Sequence, residues 1–256
     1  MNRKSYPSDL TDVQWLILES LIPPAKRGGR RRSVNMREIV NAVFYVLRSG
    51  CAWRMLPHDF PPWQTVYGYF SSWRKEGVWE AMNDALCEAV RQQAGRNTEP
   101  SAAIIDSQSV KTTEVKGRKR HTMVDVMGLL LVVVVHKASI QERAGAKLLL
   151  LRAVQKGFER LALIWADGGY SGQPMIDWVR QLAGWVFEVI KRSDETTGFV
   201  ILPRRWVVER TFAWLGRYRR LSKDYEQLPE TSEAMIYSAM VHIMLRRLAR
   251  NPAVAL

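Results

Sequence analysis

The pattern of apolar residues changes at Pro100, and this change constrains the fold more than any other feature of the chain. Before it, from Asp9 to about Arg96, apolar residues recur at helical spacing between strong turn signals. After it, short apolar runs alternate with helical stretches, which is typical of an α/β layer domain. We therefore predict a helical domain over residues 1–97 and an α/β domain over residues 98–256.

The N-terminal part contains four predicted helices, over residues 11–21, 35–48, 64–75 and 77–93. Residues 23–32 (PPAKRGGRRR) join the first two, and their prolines, glycines and charges predict a solvated basic linker. A proline-rich turn over residues 57–63 leads directly into the third helix. Short helices joined by such turns resemble a helix-turn-helix unit.

The C-terminal part contains five predicted strands, over residues 102–107, 120–126, 129–137, 161–166 and 185–191. Met127 and Gly128 fit a tight turn between the second and third strands, and residues 142–156 fit a crossover helix before the fourth. Two long helices are predicted to finish the chain, over residues 203–221 and 231–250.

The chain carries a net charge of +13 and has a sequence pI near 10.0, which points to a polyanionic partner. Its longest apolar run, residues 129–135, is far shorter than the roughly 20 residues that span a bilayer, and we find no signal peptide. We therefore expect a cytoplasmic protein that binds nucleic acid, without membrane association. Cys51 and Cys87 lie in no zinc-binding pattern and are expected to be reduced.

Two apolar runs end in an aspartate. Asp106 follows the run at 102–105, where a buried strand should still be apolar, and such a charge is costly unless something pairs with it. Asp167 closes the run at 161–166 in the same way, and Gly168 and Gly169 after it let backbone or substrate come close. Since carboxylates are the hard oxygen ligands that magnesium prefers, two acids at strand ends suggest one shared metal site.

Glu209 is the third candidate ligand. It is the single acid among seven basic residues between Pro203 and Lys223, in a helical stretch that would otherwise only attract phosphate. A ligand role explains that isolation. Arg205 lies four residues earlier on the same helical face, so an ordinary surface ion pair is the alternative.

Each acid also has a structural alternative when taken singly, because a strand-end aspartate is more often a turn cap or an ion-pair partner than a metal ligand. Asp125 lies just before the predicted hairpin turn, and we predict a structural role for it. His121 and His136 have no partner at ligand spacing, and they too are predicted to be structural.

Several motifs, in this order, resemble those of the DDE transposases of bacterial insertion sequences, specifically the insertion sequence five group. The motifs lie at residues 105–112 (IDSQSVKT), 117–121 (GRKRH), 165–170 (WADGGY) and 205–214 (RWVVERTFAW). Residues 9–12, 50–54 and 56–57 resemble the helical domain that precedes the catalytic domain in this group. The resemblance covers nearly the whole chain.

This resemblance implies a ribonuclease H-like catalytic domain, two divalent metal ions, Mg²⁺ or Mn²⁺, and catalytic and metal-binding roles for Asp106, Asp167 and Glu209. Two features depart from the family pattern. Only Val115 stands where relatives carry a longer loop, and Leu202 and Gly216 occupy the outer positions of a Tyr-Arg-Glu-Lys signature. The implied activity is cleavage of the element's ends and their joining to target DNA by metal-dependent phosphoryl transfer.

The implied partner is double-stranded DNA, both terminal inverted repeats and target, bound by a homo-oligomer at the nucleoid. Candidate DNA-binding residues are Arg30, Arg31, Arg32, Gln64, Arg74, Lys116, Arg118, Lys119, Arg120, Arg205, Arg217, Arg219, Arg220 and Lys223. The helix at 64–75 is the candidate recognition helix, although packing in a core through Val66, Tyr67, Phe70 and Trp73 is an equal alternative. A non-catalytic DNA-binding remnant and a plain nuclease of the same fold are the competing functions.

Overall fold

The computed structural model describes residues 3–25, 28, 32–112, 117–190 and 206–250. The chain divides into two compact units. The first comprises Met1–Arg96, Gly216–Ser222 and Ala234–Leu256, and the second comprises Asn97–Leu215 and Lys223–Glu233. The break after Arg96 lies close to the predicted one, but two C-terminal segments group with the helical unit, whereas the sequence pattern assigns them to the α/β domain.

The helical unit contains α1 (Asp12–Glu19), α2 (Met36–Ser49), α3 (Trp63–Lys75) and α4 (Val78–Gln93), so all four predicted helices are present. Their starts follow local chemistry. Thr11 and Gln14 form a reciprocal capping box at the start of α1, and the Asn35 side chain accepts the backbone N–H groups of Arg37 and Glu38 at the start of α2.

Helix α3 packs through Val66, Phe70 and Trp73, all of which are buried. Tyr67, expected in the same core, is 41% exposed and lies on the outer face with Gln64. The helix therefore has one packed and one exposed face, which is compatible with both interpretations of its sequence.

The C-terminal helix α8 (Pro229–Leu248) contributes residues from Ala234 onward to the core of the helical unit. His242 stacks on Phe44 at 4.3 Å between ring centroids, and Met244 Sδ lies 3.6 Å from Cys87 Sγ. Removing residues 1–96 would expose these side chains to water. Such a truncation therefore destabilises what remains and does not cleanly separate DNA recognition from chemistry.

The second unit is built on one mixed five-stranded sheet in the order β3-β2-β1-β4-β5. All five predicted strands are present, as β1 (Ala102–Val110), β2 (Arg118–Asp125), β3 (Leu130–Lys137), β4 (Leu163–Asp167) and β5 (Val186–Ile190). β1, β2 and β3 are antiparallel neighbours, whereas β4 runs parallel to both β1 and β5. The α/β expectation is confirmed.

Helices cover both faces of this sheet. α5 (Glu142–Lys156) and α6 (Gln173–Ala183) pack on one face, where Leu149 and Val179 join the larger apolar core. α7 (Trp206–Gly216) packs on the other face through Val207 and Val208. The sheet is thus buried on both sides by apolar contacts, as the unbroken apolar runs of its strands require.

Three elements differ from the predictions. β1 continues to Val110 instead of ending at Ser107, because its outer residues keep pairing with β2. α6 was not predicted, since Gly172, Pro174 and Gly184 resemble loop residues, but they lie at its ends, where glycine and proline are tolerated. The predicted helix over residues 203–221 ends at Gly216, and its first three residues lie outside the described part of the chain.

Gly145 in α5 lies directly against two stacked histidines. The His121 and His136 rings are 4.8 Å apart, and both are buried. A Cβ at Gly145 would collide with Nε2 of both rings and lie 2.8 Å from His121 Cδ2. The two rings therefore occupy the space that a side chain would need, in agreement with the structural role predicted for them.

We expect Gly145→Ala to lower the free energy of unfolding by about 1–3 kcal/mol, because the added methyl overpacks a dense core. We expect this loss even though alanine is more favourable than glycine inside a helix by about 1 kcal/mol. Gly68→Ala in α3 is the matched control, since an added Cβ there meets nothing within 4 Å and should stabilise the helix. Urea unfolding checks both variants, and a Gly145→Ala protein as stable as wild type would contradict the packing.

Candidate active site

Asp106 and Asp167 lie on adjacent parallel strands in the same register. Ala102 pairs with Leu163 and Ile104 with Trp165. Continuing this register by two residues sets Asp106 opposite Asp167, with neighbouring strands about 4.8 Å apart. Asp167 is the last residue of β4, as expected, whereas Asp106 lies inside β1 rather than at its end.

Both aspartates are on the face of the sheet that α7 covers. Ile104 and Trp165 pack with Val207 and Val208 of that helix. Because side chains alternate between faces, residues two positions further along β1 and β4 point to the same side. The two carboxylates therefore share one face and one end of the sheet, and each is half-buried.

Backbone donors fix the orientation of both carboxylates. The Ser107 N–H donates to Asp106 Oδ1 at 2.7 Å, and the Gly169 N–H donates to Asp167 Oδ1 at 2.9 Å. Charged acceptors make shorter and stronger hydrogen bonds than neutral ones. These bonds limit rotation of each side chain.

Glu209 lies on the exposed side of α7, and the helix itself is firmly attached to the sheet. Thr211 Oγ1 donates to the Gly128 carbonyl at 2.9 Å, and the Arg210 guanidinium donates to the Met127 carbonyl at 2.9 Å. Gly128 has φ +77°, and a Cβ there would lie 2.7 Å from Thr211 Oγ1. The predicted hairpin turn thus anchors the helix that carries Glu209.

The Arg210 guanidinium lies between two indole rings of α7, 4.3 Å from the Trp206 ring centroid and 4.7 Å from that of Trp214. This stack stiffens the outer face of the helix next to Glu209. Arg205, the alternative ion-pair partner of Glu209, lies outside the described residues.

The donor set of the aspartate pair fits a hard divalent cation, because two carboxylates in register offer oxygen ligands at one place. Within the described ranges, however, no group of three or more His, Cys, Asp or Glu side chains is arranged to hold a metal ion. The geometry brings Asp106 and Asp167 together and places Glu209 on the helix over their face, but it does not assemble all three around one point.

Asp125 has the structural role predicted for it. Its buried carboxylate accepts the backbone N–H groups of Met127 and Leu129, both at 2.8 Å. This is an aspartate-capped turn between β2 and β3.

Sequence reasoning missed Glu142, the first residue of α5. Its Oε1 accepts from Ser107 Oγ at 3.3 Å and lies 3.5 Å from Lys119 Nζ. A Cβ at Gly169 would collide with Glu142 Oε2 and lie 3.1 Å from Asp167 Oδ1. Glu142 is therefore a further carboxylate beside Asp167. The one available signal was an acidic residue in the first turn of a predicted helix. Such residues are common, and the pattern does not indicate which side chain the acid contacts.

Tyr170 was also missed as a site residue, although it lies within a recognised motif. Its hydroxyl is 3.3 Å from His121 Nδ1, and its side chain is 1% exposed. Burial raises the pKa of Tyr170 far above its usual range, and the charges of Asp106, Asp167 and Glu142 raise it further. The phenol therefore stays protonated beside these three carboxylates.

Three of the candidate DNA-binding arginines have partners within the chain. Arg118 is 3.3 Å from the buried Asp224 carboxylate and donates to the Gln227 carbonyl. Arg120 and Arg220 are 4% and 9% exposed and donate to the Lys223 and Cys51 carbonyls, respectively. Net charge alone could not reveal these partners, because they lie far away in the sequence.

Other candidates keep an accessible side chain. Arg217, Arg219 and Lys223 are exposed, as is Gln64 of α3, whereas Arg74 is half-buried. Arg32 donates to the Pro23 and Pro24 carbonyls at 2.9 and 3.0 Å. Lys119 is largely buried and pairs with Glu142 at 3.5 Å. The last four candidates lie outside the described residues: Arg30, Arg31, Lys116 and Arg205.

Helix α8, like every other helix in the described part of the chain, lacks the combination of length and apolarity needed to cross a bilayer.

Comparison with known proteins identifies two family matches. Residues 97–244 match the family described as "Transposase DDE domain", and residues 10–83 match a transposase family of the IS4/5 type. The DDE domain implies a ribonuclease H-like fold, and the mixed five-stranded sheet with helices on both faces agrees with it. The DDE family generally uses divalent metal ions.

Two curated relatives match shorter stretches. An uncharacterised 16.2 kDa protein of insertion element IS402 from Burkholderia cepacia is 28% identical over 108 residues, which cover 40% of this chain and 72% of that protein. The uncharacterised protein y4sN of Sinorhizobium fredii (strain NBRC 101917 / NGR234) is 30% identical over 73 residues, which cover 28% of this chain and 58% of that protein.

Proposed function

Because this chain belongs to the DDE transposases, we propose that it cleaves the ends of an insertion sequence and joins them to target DNA by metal-dependent phosphoryl transfer. The observation that carries this proposal is the shared register of Asp106 and Asp167 on the sheet face that α7 covers. Fold likeness alone would not select a reaction, whereas two carboxylates at one strand end are suited to phosphodiester chemistry.

We assign Asp106, Asp167 and Glu209 as the residues that would hold the metal, with two Mg²⁺ ions as the expected complement and Mn²⁺ as a substitute. When bound, the ions would supply Lewis acidity and an activated oxygen nucleophile, either water or a terminal 3′-hydroxyl. The Ser107 and Gly169 N–H groups hold the aspartates in position. No side chain has to form a covalent bond with DNA.

Tyr170 contributes a neutral hydroxyl under these acids. Since burial raises its pKa far above the usual range, the hydroxyl keeps its proton at neutral pH. The hydroxyl lies 3.3 Å from His121 Nδ1, so it adds a polar group near the carboxylates without adding charge.

We assign recognition of the terminal inverted repeats to the helical unit, with a helix-turn-helix role for α3. Its outer face presents Gln64 and Tyr67, while Val66, Phe70 and Trp73 hold it in place. Arg217, Arg219 and Lys223 remain candidates for phosphate contacts because their side chains are exposed. Transposases bind DNA, and we propose that this one acts as a homo-oligomer on element ends at the nucleoid.

A strand-transfer assay tests the proposal, with a duplex that carries the flanking end of the element, a target plasmid and Mg²⁺. Covalently joined product supports a transposase. Cut ends without joining would instead indicate a plain nuclease, and specific binding without cutting would indicate a non-catalytic remnant.

A further inference from the structure

Glu142, at the start of α5, contacts side chains of β1 and β2 at the end of the sheet that carries the two aspartates. It accepts from Ser107, which follows Asp106 in β1, and it pairs with Lys119 of β2. Its Oε2 also fills the space in which a Cβ of Gly169, just beyond β4, would lie. A single carboxylate therefore lies beside Ser107, the residue after Asp106, and beside Gly169, two residues after Asp167.

Gly169 is the point at which this contact becomes possible. Any side chain there would strike Glu142 Oε2, and Asp167 Oδ1 lies 3.1 Å from the same position. The glycine pair after Asp167 was expected to let backbone or substrate come close, and the group that does so is the Glu142 carboxylate. Its side chain keeps 40% of its surface exposed, so this end of the sheet remains open to a ligand.

Lys119 brings a positive charge to this group of acids. Its ammonium lies 3.5 Å from Glu142 Oε1, and its side chain is only 12% exposed. The Lys119 charge also helps to lower the pKa of His121, after burial and His136. A lysine side chain is long and flexible, and holding its ammonium in one place requires a partner.

We propose that Glu142 is a positioning residue that holds the Lys119 ammonium where it contacts a phosphate of the DNA bound at Asp106 and Asp167; this inference rests on the proposed function. The ion pair is suited to the task because its 3.5 Å N···O separation is longer than that of a strong charge-assisted hydrogen bond, and its carboxylate end is 40% exposed. A DNA phosphate can therefore compete for the ammonium without a large cost.

Three proteins test this role: Glu142→Gln, which keeps the shape and removes the charge, Lys119→Gln, and the double variant. Glu159→Gln is the matched control, because Glu159 is an exposed acid of the same unit. The readouts are the melting temperature, the affinity for an end duplex over a range of salt, and the rate of strand transfer.

We expect Glu142→Gln to keep its melting temperature, to bind the duplex at least as tightly as wild type, and to join strands about 10- to 100-fold more slowly. Lys119→Gln should lower the slope of log affinity against log salt by about 1, as for one lost phosphate contact. In the Lys119→Gln protein, adding Glu142→Gln should have little further effect, because Glu142 acts through Lys119. Lys119→Arg keeps the positive charge, so it should join strands much faster than Lys119→Gln and retain most of the wild-type rate.

Independent, multiplicative effects of the two substitutions would overturn the proposal, and so would unchanged joining by Glu142→Gln. A fall in melting temperature together with equal losses of binding and joining would show a merely structural role. If the wild-type protein joined no DNA, the proposed function would fail. The coupling of Glu142 to Lys119 in the binding data would then still decide whether this pair contacts phosphate.

Discussion

An Asp167→Asn protein should bind the element's ends like the wild type and lose strand transfer by about 10²-fold or more, comparable to the loss of a group that stabilises transition-state charge. The amide keeps the size of the side chain, but it removes the charge and one oxygen that a divalent ion requires. Gel-shift and strand-transfer assays on one preparation check the two halves of this expectation.

The control for this variant is Asp177→Asn in α6. The Asp177 carboxylate lies in the same unit and accepts from Gln173 at 2.8 Å, away from the strand ends. It should lose neither binding nor joining. Full strand transfer by Asp167→Asn would show that the catalytic assignment is wrong, and loss of binding would show that the substitution disturbs the fold.

Acid should destabilise the helical unit through His242. Burial, followed by the charges of Arg246 and Arg48, lowers the pKa of this histidine from 6.5 to about 3. The ring stacks on Phe44 and meets the edge of Tyr218, and neither ring nitrogen has a hydrogen-bond partner among the described residues. The folded protein therefore holds His242 neutral.

The sign of the effect follows from the difference in bound protons. Between about pH 6.5 and pH 3 the unfolded chain protonates His242 and the folded chain does not, so the stabilisation is complete above pH 6.5 and falls as the pH falls. The slope reaches about 1.4 kcal/mol per pH unit, or a loss of about 2 kcal/mol at pH 5. His121, whose pKa is lowered to about 3 by burial, His136 and Lys119, acts in the same direction in the α/β unit.

Urea unfolding at pH 7.5 and pH 5 measures this loss in the wild type and in His242→Leu, which keeps a buried side chain of similar volume without a titrating group. The variant should lose less stability between the two pH values than the wild type does. An equal loss in both proteins would mean that His242 is not responsible for the acid sensitivity.

The sequence predicts much of the fold because apolar runs and capping residues act locally. Residues 103–105 form the buried part of β1, and Thr11 and Asn35 cap the helices that were expected to follow them. The missed helix α6 shows the limit of this reasoning. The glycines and the proline at its ends are equally typical of a loop. Only the packing of Met175 and Val179 on the sheet distinguishes this helix from a loop.

The residues of the candidate site show the same limit of local sequence reasoning. Asp106 and Asp167 stand out because a charge interrupts a buried run, whereas Glu142 is an ordinary acid until the fold brings it to Gly169. Arg118 and Arg120 were assigned to DNA by charge, but Asp224 and the Lys223 carbonyl, about a hundred residues away, bind them within the chain. Long-range partners of this kind leave no trace in local composition.

The central claim is that Asp106, Asp167 and Glu209 act as one site, and Glu209 is the member that lies on a helix and that no strand register ties to the other two. The most direct measurement is the rate of Mg²⁺-dependent strand transfer by Asp106→Asn, Glu209→Gln and the double variant, each with intact end binding. We predict that either single substitution abolishes joining and that the double variant is no worse, because residues that act as a unit are strongly non-additive. Joining at the wild-type rate by Glu209→Gln, beside an inactive Asp106→Asn, would contradict the claim.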